Sequence, residues 1–448
     1  MHEDFSRRRR MNGQDDRVLK AVLAGLQTTE EEAHFERSLA ELAGLCEACG
    51  VEAVSVLTQR APHPEHATYL GSGKVQELKA LMYAVRADLV IFDKSLSPIQ
   101  VRNLGRILEK EVIDRTDLIL RIFSERARTK EAKLQVEYAH LSYLLPRLVG
   151  MRENLSRQGG ASGFQSARGA GETQLELDRR KILNRQAQLR RELKEVGRVQ
   201  DTQREGRSAS GLFRIGLVGY TNAGKSTLMN RLIALSAPVP SDTKEKNVFA
   251  EDMLFATLDT TVRKIAIRGR TPFLLSDTVG FISDLPAPLI EAFRSTLAEA
   301  AEADLLLEVA DCTDEDLDAQ TQTTLQTLKD IGAGKVPRIR VMNKADLLPP
   351  SAPKPGTLRR RGGLSGTDEV FVSAATGEGT DALLDLIEET LTGSPVEITL
   401  LLPYRDGDIT QHILETMNVL EQSYRADGTL LTVRCGRRLA EKYSSYQL

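Results

Sequence analysis

The stretch "LFRIGLVGYTNAGKST", Leu212 to Thr227, constrains this chain more than any other. An apolar run long enough for one buried strand meets a loop with glycine at its first and sixth positions, and Lys225, Ser226 and Thr227 then open a helical pattern. Strand, glycine loop and helix in that order build a parallel sheet with crossover helices, so an α/β region is expected here. The same spacing makes a phosphate cradle: the backbone of Gly219, Tyr220, Thr221, Asn222, Ala223 and Gly224 can wrap an anion in front of the helix N-terminus. Lys225 would bridge β- and γ-phosphates, and Ser226 would ligate Mg²⁺. A bare glycine turn meets the spacing equally well, so the choice falls to the residues downstream.

Those residues supply a metal ligand and a base pocket. "FLLSDTVG" reads as a buried strand ending in Asp277, placed to hold Mg²⁺ through water, with Thr278 and Val279 leading to Gly280, whose N–H can bind the γ-phosphate. "RVMNKAD" reads as another strand, ending in Asn343, Lys344, Ala345 and Asp346. The Asp346 carboxylate can accept from guanine N1–H and the 2-amino group, donors that adenine lacks, while Asn343 supports the other edge of the base. "VFVSAAT" brings Ser373, Ala374 and Ala375 to a strand end, where the Ala374 N–H can reach guanine O6. Four elements in this order indicate a P-loop GTPase domain with GTP as substrate and Mg²⁺ as cofactor. Between the phosphate loop and Asp277, "LFATLDTT" carries Phe255, Ala256, Thr257, Leu258 and Asp259. Thr257 is the candidate switch threonine that completes the Mg²⁺ shell when the γ-phosphate is present, with Thr260 and Thr261 as rivals. Lys225, Thr257 and Gly280 are then the expected catalytic groups, and Ser226, Thr257 and Asp277 the metal set. One position departs from many nucleotide switches: after "DTVG" stands Phe281, where a glutamine commonly orients the attacking water.

The rest of the 448 residues falls into pieces of different texture. Residues 1–14 read as a disordered tail. Residues 15–120 alternate apolar runs with helical patterns and predict a small parallel α/β domain. From Thr129, Leu134, Tyr138, Leu141, Leu145 and Leu148 recur at fours and threes, and Leu175, Ile182, Leu189, Leu193 and Val196 do likewise, which predicts an antiparallel helical hairpin over 121–205. "GMRENLSRQGGASGFQSARGAG" between them, with six glycines, reads as a long flexible loop at the hairpin tip, and "EGRSASG", Glu205 to Gly211, as a linker. Residues 212–393 form the GTP-binding domain. Residues 394–448 form a small α+β module: strand "VEITLLLP", a helix from Ile409 to about Leu420, and strand "LLTVRC". Net charge is −3, yet Arg147 to Gln200 holds twelve Lys+Arg against six Asp+Glu, a local +6. With 41% hydrophobic and 27% charged residues, no apolar run approaches the roughly 18 residues of a membrane span, and four cysteines make no disulfide framework. A cytoplasmic monomer is expected. "CEAC", Cys46 to Cys49, reads as buried helix cysteines, "HPEH" as a loop, and "GSGK", Gly71 to Lys74, as a helix start that could bind an anion.

Taken together, "GSGKVQEL", "ARTKEAKLQVEYAHLSYLLPRL", "ARGAGETQLELDRR", "GYTNAGKST", "LFATLD", "DTVGFISDLP", "NKAD" and "SAATGEG" resemble the HflX-type GTPases of the translation-factor class. Ala170 and Thr260 stand where that family's pattern has proline. The resemblance implies a GTPase that binds the large (50S) ribosomal subunit, with the hairpin loop reaching toward 23S rRNA and ribosome splitting or rescue as the outcome. Arg152, Arg157 and Arg168 would then meet RNA phosphates, or alternatively only solvate the loop. The family also places a hydrophobic residue where Phe281 stands. Asn222, a further catalytic candidate, matches the asparagine of potassium-dependent relatives and would hold K⁺ beside the phosphates, or serve as a turn residue. A GTP-controlled module acting on another protein or RNA is the rival function.

Overall fold

The computed structural model describes residues 18–28, 32–157, 165–209, 212–236, 261–268, 270–278, 280–282, 299–360, 367–393 and 395–448. They group into two compact units that meet in sequence at Val196 and Gly197.

In the first unit, β1 (Leu19–Gln27), β2 (Val51–Arg60), β3 (Leu89–Phe92) and β4 (Glu111–Asp114) form an all-parallel sheet in the order β2-β1-β3-β4. Parallel pairing follows from the crossovers α1 (Glu32–Ala48), α2 (Ser72–Ala84) and α3 (Pro98–Leu108), which return the chain to the same edge. Both faces of β1 are covered. Val22, Ala24 and Leu26 join Leu78, Met82 and Leu104 in one core, while Gly25 admits α1, since a Cβ there would sit 2.8 Å from the Phe35 ring. Ser97 caps α3 in a full capping box with Gln100, and Pro98 fixes the first turn.

Past β4 come α4 (Arg115–Arg126), α5 (Lys130–Arg157) and α6 (Gln165–Ala209). Asp114 binds them together. Its carboxylate, fully buried, accepts from Leu96 N–H and Asp117 N–H, from Tyr143 Oη at 2.8 Å and from Arg147 at 2.7 Å. Burial raises its pKa, against the pull of Arg147 and those donors. α5 and α6 pair in antiparallel sense: Glu137 takes a two-pronged contact from Arg185, Tyr138 Oη accepts from Arg190, and Gln186 reaches Ser142. The hairpin is as expected, but its tip is not. Helical backbone runs to Arg157 and resumes at Gln165, and α6 continues through most of the expected linker to Ala209. Scattered glycines at roughly 1 kcal/mol each do not break a helix whose other residues favour it. Residues 158–164 lie outside the described residues.

In the second unit, β5 (Phe213–Gly219), β6 (Thr261–Ile265), β7 (Phe273–Asp277), β8 (Leu305–Asp311), β9 (Arg338–Asn343), β10 (Leu358–Arg359) and β11 (Asp368–Phe371) form one sheet, ordered β10-β11-β9-β8-β5-β7-β6. The inner strands are parallel and the two edges antiparallel. Helices α7 (Lys225–Leu235) and α9 (Thr380–Thr392) contribute Leu228, Leu232, Leu383 and Ile387 to its main core, and α8 (Leu317–Asp330) follows β8. After it come β12 (Pro395–Leu402), α10 (Gly407–Thr416), β13 (Asn418–Arg425), β14 (Gly428–Gly436) and α11 (Arg437–Lys442), with an antiparallel β12-β14-β13 sheet. Here the expected helix to Leu420 stops at Thr416, and Leu420 lies in β13. The turn before Gly428 folds β13 back onto β14, and that pairing overrides the local helical reading.

Candidate nucleotide site

Each piece of the phosphate loop has a local cause. At Gly219 φ is +140°, and a Cβ would lie 2.1 Å from Val309 O; at Gly224 φ is +90°, and a Cβ would lie 2.2 Å from Asn343 Nδ2. Asn222 also takes a left-handed φ of 60° and is exposed. α7 begins at Lys225, whose buried Nζ donates to Gly219 O at 3.1 Å and Tyr220 O at 2.7 Å. An ammonium has three donors, so one remains for a phosphate. Burial pushes the Lys225 pKa down to about 8, against the pull of Asp277.

Register brings the candidate metal oxygens together. β5 and β7 place Asp277 opposite Leu217, and Ser226 Oγ donates to Asp277 Oδ2 at 2.9 Å. Two hard oxygens at the foot of a phosphate loop fit Mg²⁺, which takes one or two protein oxygens and leaves the rest of its shell to water and substrate. Thr278 is buried, and its Oγ1 donates to Leu217 O at 2.6 Å, so it anchors the turn. Beyond it, a Cβ on Gly280 would meet Lys225 Nζ and Thr221 Cγ2, each at 2.9 Å. Phe281 is 2% exposed, and its backbone is pinned to the phosphate loop: its N–H donates to Gly219 O at 3.0 Å and its carbonyl accepts from Thr221 N–H at 2.8 Å.

The base end differs from expectation. Asn343 is buried, its Nδ2 donating to Ala223 O at 2.8 Å and its Oδ1 accepting from Ala374 N–H at 2.9 Å. The two groups expected to face the base are thus engaged with each other, and Asn343 ties three loops together. Asp346 is exposed on a 3₁₀ turn, Ala345–Leu347, and Ala375 is exposed as well. Lys344, at φ 63°, is held by Asp311 at 2.7 Å, and buried Ser373 accepts from Thr376 N–H. Arg231 braces the last loop by donating to Thr376 O at 2.9 Å. Asp311 and Arg231 were missed because each acts across more than thirty residues of sequence; only the strand-end position of Asp311 hinted at it. Phe255, Ala256, Thr257, Leu258, Asp259, Thr260 and Val279 lie outside the described residues. Outside this site, Cys46 and Cys49 are buried as expected, His63 and His66 lie in an exposed loop, and no group able to hold a metal by His, Cys, Asp and Glu alone occurs among the described residues.

Comparison with known proteins agrees over most of the chain. Residues 36–124 match the family model of the GTP-binding GTPase N-terminal domain, and 126–207 that of the GTP-binding GTPase middle region. Residues 214–344 match the 50S ribosome-binding GTPase and 363–445 the HflX C-terminal domain. GTPase HflX of Alkalihalophilus pseudofirmus is 43% identical over 388 residues, 86% of this chain and 84% of that one. GTPase HflX of Escherichia coli K12 is 39% identical over 413 residues, 92% of each chain. Among solved structures, a GTP-binding protein of Sulfolobus solfataricus in complex with GDP is 25% identical over 84% of this chain and 99% of its own, at a TM-score of 0.42. A phosphate loop, a strand-end aspartate and an Asn-Lys-x-Asp turn on the parallel inner strands of one sheet, together with relatives of this identity and coverage, place the chain in the HflX family of GTPases, with a 50S ribosome-binding GTPase domain at its centre.

Proposed function

We propose that this GTPase turns over slowly alone and is activated on the 50S subunit, where the hairpin tip meets 23S rRNA and GTP hydrolysis times the splitting or rescue of stalled ribosomes. The observation that carries it is Phe281: its ring is 2% exposed and its backbone is spent on the phosphate loop, so the residue after Gly280 offers the attacking water no polar group. A docked partner that orders the site is the economical remedy. In this reading Lys225 and the Gly280 N–H hold the γ-phosphate, Ser226, Thr257 and Asp277 are the metal ligands, and Asp346 reads guanine. Mg²⁺ at Ser226 and Asp277 would offset charge on the β- and γ-phosphates. Phe255 to Asp259 form the switch segment. Asn222, exposed on its left-handed turn, offers a carbonyl for K⁺, and equal turnover in sodium and potassium salts would remove that role. As a ribosome partner, the protein works in the cytoplasm as a monomer.

The test is GTP turnover with and without purified 50S subunits, in parallel with a variant lacking 151–170. Many-fold stimulation that disappears with the tip supports the reading. Absence of stimulation with intact GDP binding would favour a GTP-controlled module with another partner.

A further inference from the structure

One polar group of the phosphate loop has no use among the described residues. Thr221 is 6% exposed, and its buried Oγ1 lacks a hydrogen-bond partner among them. By contrast Lys225, Ser226, Thr278 and Asn343 each have one. A buried hydroxyl without a partner forfeits its hydration, and valine, of the same shape, would avoid that loss; a hydroxyl kept in such a place points to a ligand.

Its position says which ligand. The Thr221 N–H is spent on Phe281 O, which fixes the residue against the Gly280 turn. A Cβ on Gly280 would lie 2.9 Å from Thr221 Cγ2, 3.0 Å from Thr221 Cα and 2.9 Å from Lys225 Nζ. Thr221, the Lys225 ammonium and the Gly280 backbone therefore meet at one corner of the phosphate loop, beside which the γ-phosphate would sit.

We propose that Thr221 is a catalytic residue whose Oγ1 donates a hydrogen bond to a γ-phosphoryl oxygen as GTP is hydrolysed. The inference rests on the γ-phosphate lying between Lys225 and Gly280. In the step it assists, the water oxygen bonds to the γ-phosphorus and the bond to the β–γ bridging oxygen breaks. The electron pair leaves on GDP, and the proton of the water ends on inorganic phosphate. Charge spreads over the γ-oxygens meanwhile, so a preorganised donor there acts more on the transition state than on bound GTP.

Three proteins, the natural chain, Thr221→Val and Thr221→Ser, are compared for basal GTP turnover, KM and the affinity of a fluorescent GDP analogue. The expected result is a kcat about 10²-fold lower for Thr221→Val, with KM and GDP affinity within about threefold and Thr221→Ser close to the natural rate. Natural turnover by Thr221→Val would overturn the proposal. So would a loss of GDP affinity parallel to the loss of rate, which marks a structural role, or failure of serine to rescue. Basal turnover is read without 50S subunits, so failure of the ribosome reading leaves this test standing.

Discussion

Asn343 shows how much one side chain can carry. Its two amide ends join the phosphate loop at Ala223 O and the Ala374 N–H. Asn343→Ala leaves both backbone groups buried and unpaired, at about 2–4 kcal/mol together. GDP affinity is expected to fall about 10²–10³-fold, read by titration with a fluorescent GDP analogue; a change under threefold would mean that the strut is dispensable. Cys46 is a second case at this scale. Burial, with Cys49 beside it, pushes its thiol from 9.0 up to about 12. The unfolded chain releases that proton above pH 9 and the folded chain holds it to about pH 12, so stability falls as pH rises through that window. At pH 8 the folded thiol stays protonated, and iodoacetamide should label Cys46 about 10³-fold more slowly in the native protein than in urea. Comparable rates in a peptide-resolved mass measurement would contradict its burial.

Among elements, the helical hairpin is fastened to the end of β4 by the Asp114 cluster rather than by its charged surface. Removing a buried carboxylate takes the charge partner from Arg147 and strands the Tyr143 hydroxyl and two N–H groups, whereas the Glu137–Arg185 pair is about two-fifths exposed and contributes only about 0–1 kcal/mol. Asp114→Ala is therefore expected to cost about 3–5 kcal/mol, and Glu137→Gln under about 1 kcal/mol, in local opening of α4 and α5 measured by hydrogen exchange. Equal protection in the two variants would refute the ranking. The seam was legible in part: Leu134, Tyr138 and Leu189 are buried, while Leu141, Leu145, Leu148, Ile182, Leu193 and Val196 are half-buried. The helix ends were not, because glycine content near the tip says little about a backbone whose neighbours favour the helix.

For the molecule as a whole, charge matters by placement. A net −3 hides the +6 of Arg147 to Gln200. If the tip meets rRNA, each of Arg152, Arg157 and Arg168 that neutralises a phosphate releases counterion, at a slope of about 0.7–0.9 per contact in log affinity against log salt. The triple alanine variant should then bind 50S with a slope shallower by about 2–3 over a potassium chloride series. An unchanged slope would show that these arginines only solvate the tip.

The sequence by itself determined the chemistry and the order of elements. Gly219 to Thr227, Asp277 and Asn343 to Asp346 are local patterns, and strand-loop-helix spacing fixes which face of a parallel sheet they reach. What the tertiary structure decided are the contacts between segments far apart in the chain. Asn343 sits on the phosphate loop, not free beside the base; Asp311 holds Lys344; and Arg340 lies between the buried Glu308 and Glu369 of neighbouring strands. Phe281 looked like a missing catalytic group, and the structure makes it a buried plug whose backbone positions Thr221. Such roles depend on distance in space, which spacing along the chain does not encode once strands pair across as many as ninety residues, as Ile215 does with Leu305.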